Sequence, residues 1–221
     1  MSGALVLVAG PSGAGKDTLI RLARERLRDD PRFVFVRRVI TRAGDAGGED
    51  HEPATPEEFA RRAAAGGFML SWDAHGLRYG VPGSVEADLA SGRVAIVNVS
   101  RGIIAEACAR YPGSRVAIVT APVEVLAARL ETRGREPASE HQARLARPDL
   151  LPAETRPILI SNDGEPEAAA DALVALLRRC LPQEPHQDGS QLQEESQIQQ
   201  NLQVQQGAPS GSPCPKVETT A

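Results

Sequence analysis

The chain has 221 residues, 41% of them hydrophobic, enough to bury one core and to fit a single catalytic domain with a small inserted piece. Its net charge of −4 and pI near 5.7 exclude a basic field that would recruit nucleic acid or an anionic membrane. Cys108, Cys180 and Cys214 are odd in number and widely spaced, which excludes a disulfide framework or a close-spaced zinc site and fits a reducing cytoplasm. No apolar run approaches the ~20 residues of a membrane span, and Met1 leads straight into a strand with no basic leader.

The first predicted element is a strand, Leu5 to Ala9. It runs into GPSGAGKDT, Gly10 to Thr18, and then into a helix from Asp17 to Leu27. Strand, glycine-rich loop, lysine and helix in that order are the phosphate-loop pattern. Gly10, Gly13 and Gly15, with Pro11, Ser12 and Ala14 between them, let successive backbone N–H groups face one point, and the helix adds its positive end. A triphosphate tail fits that point, so ATP is the expected cofactor and Gly10 to Thr18 are the expected contacts. Lys16, the sole lysine before Lys216 in a chain rich in arginine, is expected on the β- and γ-phosphates. Asp17 stands where the pattern has Ser or Thr. It reads either as a hard oxygen ligand for Mg²⁺ or as a favourable acidic residue in a first helical turn, and Thr18 is then placed to bond the α-phosphate.

Phe33 to Val39 is the next strand. From Thr41 to Pro82 the rhythm breaks into a lobe with a short helix, Glu57 to Ala65, and small strands at Phe68 to Leu70 and Leu77 to Tyr79. Alternation then resumes: helix Val85 to Ala90, strand Val94 to Val97, helix Ile103 to Ala109, strand Val116 to Thr120, helix Val123 to Thr132, strand Ile158 to Ile160 and helix Glu167 to Arg179. Pro122 and Pro166 sit where a first turn tolerates proline. The Val94 run ends at Asn98, so the aspartate that follows this strand in many phosphate-loop enzymes is missing. The pattern predicts an α/β fold: a parallel sheet with helices on both faces and ligands at the carboxyl ends of its strands, plus an inserted lobe at about 41–82. Residues 1–181 form the expected domain, and the Gln-rich 182–221 is expected to be disordered.

GPSGAGKDT, VRRVITR (Val36 to Arg42), GGEDHEPATPEEF (Gly47 to Phe59) and GFMLSWDAHGLRYGVP (Gly67 to Pro82) resemble, in order and spacing, the guanylate-kinase group of nucleoside monophosphate kinases over about residues 4–180. Within that group, GAGKD, VITR, GGEDHE, LSWDAHGLRYG and VNVSRG (Val97 to Gly102) are most similar to the ribose 1,5-bisphosphate phosphokinase family. The resemblance implies ATP and Mg²⁺ as cofactors and a small phosphorylated sugar as substrate, with no nucleic-acid or membrane partner, in a cytoplasmic monomer or homodimer. The product it implies is 5-phosphoribosyl 1-diphosphate, made in phosphonate breakdown.

It also implies site residues. In guanylate kinases the stretch aligned with Phe68-Met69-Leu70 ends in a glutamate that reads guanine, whereas this chain has Leu70. His51 aligns with a tyrosine that holds the acceptor phosphate. Arg38, Arg42, His51 and Tyr79 are therefore expected on phosphate, with Glu49, Asp50, Asp73 and His75 on sugar hydroxyls. RLETRGRE (Arg129 to Glu136) and RLAR (Arg144 to Arg147) resemble an arginine lid, about 133–147, with Arg133, Arg135 and Arg144 placed on the transferring phosphoryl. SNDG (Ser161 to Gly164) resembles the adenine seat, which makes Asn162 a candidate base contact. The rival readings are a nucleoside monophosphate kinase, a non-catalytic binding module, which would tend to lose Lys16, and a nucleotide-hydrolysing switch.

Overall fold

The computed structural model describes residues 3–44, 49–133, 151 and 155–182, apart from the side chains of 130, 132 and 133. In chain order the elements begin β1 (Ala4–Ala9), α1 (Lys16–Arg26), β2 (Phe33–Phe35), β3 (Val39–Ile40), β4 (Glu52–Pro53), α2 (Pro56–Ala64), β5 (Phe68–Ala74) and β6 (Leu77–Pro82). They continue with α3 (Val85–Ala90), β7 (Val94–Asn98), a 3₁₀ turn (Arg101–Ile103), α4 (Ile104–Arg110), β8 (Arg115–Thr120), α5 (Val123–Arg133), β9 (Ile158–Ser161) and α6 (Pro166–Arg179).

Five strands form a parallel sheet in the order β2-β7-β1-β8-β9. Side chains alternate along β1, and both of its faces are buried. Val6 and Val8 pack with Leu19, Ala23 and Leu27 of the α1 segment and with Leu173 and Leu177 of α6. Leu5, Leu7 and Ala9 pack with Ile104 and Ala107 of α4 and with Met69, Leu70 and Val81 of the inserted lobe. Continuous apolar runs such as Leu5 to Ala9 follow from that two-sided burial. The central strand lies between β7 and β8, so the loop after it opens at the point where strand order reverses, the usual crevice for a ligand in such sheets.

The inserted lobe is a second sheet, ordered β4-β3-β6-β5. Its helix α2 starts at a capping box, Thr55 with Glu58, and has Pro56 in its first turn. The hairpin β5–β6 is longer than the sequence suggests because His75 and Gly76, at φ +54° and +70°, supply the left-handed pair that a tight two-residue turn needs. One expected strand is divided. Phe33 to Val39 pairs with β7 only through Phe35, with one further bond from the Val36 N–H to the Ile96 carbonyl, and the chain joins the second sheet at Val39. Arg37 and Arg38 occupy the crossing and leave for different carboxylates, Asp50 and Glu49.

Candidate active site

The loop after β1 is shaped by its neighbours as much as by its glycines. Pro11, Ser12, Gly13 and Ala14 make a turn closed by the Ala14 N–H on the Pro11 carbonyl at 3.3 Å, and Gly13 is its third residue, buried and at φ +84°. Gly10 has φ +145°, and a Cβ there would lie 2.0 Å from the Val119 carbonyl oxygen of β8. Gly15 caps α1 at φ +86°, and a Cβ there would lie 2.4 Å from Asn162 Nδ2. Only glycine fits at Gly10, and a side chain at Gly15 would be strained and would displace the Asn162 amide. Lys16 Nζ donates to the carbonyls of Gly10 and Pro11, both at 2.9 Å, so its ammonium lies along the loop. Burial pushes its pKa down to about 8. Arg38 and Arg101 add to that depression, and Asp17 and Glu49 oppose it.

A chain of polar contacts runs from the loop into the lobe. Asn98, at the end of β7, donates from Nδ2 to Asp17 Oδ1 at 2.7 Å and to Glu49 Oε2 at 3.4 Å. Glu49 pairs in turn with Arg38, which is only 6% exposed. The Arg38 guanidinium lies 5.0 Å from the Tyr79 ring centroid and 5.6 Å from that of Trp72, and those two rings stack at 5.5 Å. His51, 5% exposed, brings its two ring nitrogens to 3.0 Å from the Glu49 carbonyl and 3.2 Å from the Arg42 carbonyl, stapling those two positions together; Arg42 Nη2 lies 3.3 Å from its Nδ1.

Beside this chain lies a cavity of about 630 Å³. One wall is α1, through Asp17, Thr18, Ile20, Arg21 and Arg24, and the other is Val36, Ile96 and Asn98 with Arg42, Glu49 and Asp50 from the lobe.

The predicted residues divide accordingly. Lys16, Asp17, Thr18 and Arg42 meet at the loop and cavity, while Arg38, His51 and Tyr79 sit just behind, as a paired cation, a staple and a platform. Of the predicted loop contacts, Gly10, Pro11, Ser12, Gly13, Ala14 and Gly15 form the loop itself and stand outside the cavity wall, which begins at Asp17. Gly13 and Ala14 are buried, so any part they take in holding phosphate falls to backbone N–H groups. Asp73 and His75 are not brought to the site. Asp73 pairs across the hairpin with Arg78 at 3.4 Å and is 82% exposed, on the strand face opposite Trp72 and Tyr79; His75 is spent on the turn. Neither lines the cavity. Asn162 lies behind the phosphate loop, 3% exposed, with Nδ2 donating to the Ala14 carbonyl at 2.7 Å, so its amide nitrogen braces the loop. Arg135 and Arg144, and the side chain of Arg133, lie outside the described residues. Sequence reasoning missed Asn98 as a partner of Asp17, Arg101 beside Lys16, and Arg21 and Arg24 on the cavity wall. Among the described residues no helix is long and apolar enough to cross a membrane.

No family model matches the chain. It is 54% identical over 179 residues to a ribose 1,5-bisphosphate phosphokinase of Acidiphilium cryptum, covering 81% of this chain and 94% of that protein. It is 50% identical over 182 residues to a ribose 1,5-bisphosphate phosphokinase of Methylobacterium radiotolerans, covering 81% and 100%. It also matches 29% of a bifunctional ribose 1,5-bisphosphokinase-thymidine phosphorylase of Cupriavidus necator at 47% identity, over 80% of this chain. Among solved structures, guanylate kinase from Anaplasma phagocytophilum superimposes with a TM-score of 0.60 at 22% identity, covering 82% of this chain and 88% of that one, a likeness of fold.

Proposed function

The chain belongs to the ribose 1,5-bisphosphate phosphokinase family, and on that premise we propose that it moves the γ-phosphoryl group of ATP onto the anomeric phosphate of ribose 1,5-bisphosphate. The products are 5-phosphoribosyl 1-diphosphate and ADP, in phosphonate degradation. The observation that carries this reading is the make-up of the cavity wall. Guanidinium and carboxylate groups line it, while Leu70 is buried in the core, 1% exposed. Leu70 offers no acceptor at the position where guanylate kinases place the glutamate that reads guanine, so that base loses its specific contact, and the forked cations and carboxylates of the wall suit phosphate and hydroxyl groups.

An acceptor phosphate oxygen is already ionised at neutral pH, so no general base is required. Catalysis then rests on positioning and on neutralising charge. Lys16 exchanges the Gly10 and Pro11 carbonyls for phosphate oxygens when nucleotide arrives. The residues present fit a magnesium ion. Asp17 is a hard carboxylate beside the loop, its bond from Asn98 fills one of about four lone-pair positions, and Glu49 reaches the same amide. No three acidic, His or Cys side chains among the described residues are placed to hold a metal together, so waters and phosphate oxygens would complete the shell of an ion held at Asp17. When bound, it would neutralise charge on the transferring group. The family resemblance assigns Arg133, Arg135 and Arg144 to the transferring phosphoryl, whose spreading charge their guanidinium groups would stabilise. On the same proposal it is a cytoplasmic enzyme, a monomer or homodimer with no nucleic-acid or membrane partner.

The test is phosphorus NMR of ATP with ribose 1,5-bisphosphate, run beside GMP and AMP. The sugar bisphosphate should give the diphosphate product at the highest kcat/KM. A preference for GMP would overturn the reading.

A further inference from the structure

Resting on that reading, we propose that Arg24 is the clamp for the distal phosphate of the acceptor, the one that does not react. A sugar carrying phosphates at both ends needs two anion sites: one beside the ATP held at the Lys16 loop, where Arg42 lines the cavity, and a second for the end that does not react. Asp17 and Arg24 lie seven residues apart on the cavity-facing side of α1, opposite Leu19 and Ala23, which are buried in the core. At a rise of 1.5 Å per residue this places Arg24 roughly 10 Å along the helix from the end that meets ATP.

Its bonding is provisional. Arg24 Nη1 lies 3.2 Å from Asp50 Oδ2 in a pair whose side chains are 39% and 52% exposed, a class of contact that holds weakly. Arg24 Nε is buried with no hydrogen-bond partner, an uncommon state for a guanidinium donor. Asp50 has a second and shorter partner, Arg37 Nε at 2.8 Å, while Arg37 also donates to the His51 carbonyl. Asp50 therefore keeps a counter-ion when Arg24 turns away. A phosphate dianion accepts from a guanidinium fork more strongly than a half-exposed carboxylate does, so the acceptor takes Arg24 from Asp50. Phe35, 5.8 Å beneath the guanidinium, limits how far it can swing.

The experiment compares wild type, Arg24→Gln, Arg24→Lys and Arg28→Gln, the last removing an exposed charge that does not line the cavity. Turnover of ribose 1,5-bisphosphate is measured together with calorimetric binding of ribose 5-phosphate and of ribose 1-phosphate. Arg24→Gln should raise KM for the bisphosphate and Kd for ribose 5-phosphate about 10- to 100-fold, with the loss falling on KM more than on kcat. Binding of ribose 1-phosphate and KM for ATP should change less than twofold. Arg24→Lys should recover part of the loss and Arg28→Gln should match wild type. Equal weakening of both monophosphates by Arg24→Gln, or no weakening of ribose 5-phosphate, overturns the proposal. If wild type does not turn over the bisphosphate, the functional reading fails, and the binding of the two monophosphates still decides the role of Arg24.

Discussion

Replacing Gly15 by alanine should damage the protein through two separable effects, whose sizes follow from the geometry around Asn162. A residue with a Cβ held at φ +86° costs about 1–2 kcal/mol. The new Cβ also falls 2.4 Å from Asn162 Nδ2, so that amide must leave the Ala14 carbonyl it holds at 2.7 Å. Ala14 is fully buried, and a buried carbonyl left unpaired costs about 1–3 kcal/mol. Gly15→Ala should therefore lose about 2–5 kcal/mol in urea unfolding. In an Asn162→Ala background the collision is gone, and the same substitution should lose only about 1–2 kcal/mol, a coupling of about 1–3 kcal/mol in the double-mutant cycle. KM for ATP should rise in Gly15→Ala, since the braced segment is the one proposed to hold phosphate. Equal losses in both backgrounds would refute the steric argument and leave backbone strain alone.

Lys16→Ala should lower kcat at least about 100-fold while far-ultraviolet circular dichroism stays that of wild type; full activity would remove Lys16 from the site. Because the Lys16 pKa is lowered to about 8 in the folded protein, the unfolded chain binds the proton more tightly between that pH and about 10.5. Stability from this group should rise with pH across that window, and the rise should be missing in Lys16→Met. In the same range kcat/KM for ATP should fall above about pH 8, as the free enzyme loses its ammonium. Glu49→Ala strands the buried Arg38 and should cost about 3–5 kcal/mol, whereas Asp50→Ala, which breaks half-exposed pairs, should cost about 0–1 kcal/mol; a reversed order in urea melts would contradict the burial argument. Ending the chain after Pro182 should leave kcat and KM unchanged, and loss of folding would show that 183–221 contributes to the core.

The strands of the main sheet were legible because two-sided burial leaves unbroken β-branched runs, and the phosphate loop because glycine, lysine and strand context occur together. Val36 to Arg38 was not. A strand that changes sheets keeps its apolar composition, and only the departure of Arg37 and Arg38 toward different carboxylates marks the break. His75 read as a ligand because its chemistry permits that role, yet its positive φ is fixed by hairpin length, which depends on pairing between distant residues. Asn98 read as a missing aspartate, and its link to Asp17 joins positions 81 apart in sequence, beyond any local pattern. Arg24 carried a usable signal, since Asp17, Arg21 and Arg24 recur at helical spacing away from Leu19 and Ala23. The motif at the head of the helix drew attention away from it.

The scarcity of lysine has a practical outcome. The chain holds two, Lys16 and Lys216, and the first is the one whose pKa sits near 8. At neutral pH an appreciable fraction of Lys16 is free amine, whereas an ordinary lysine is almost wholly protonated. An acylating reagent shaped like a nucleotide would therefore mark Lys16 ahead of Lys216, and the extent of labelling would count the phosphate loops open to nucleotide.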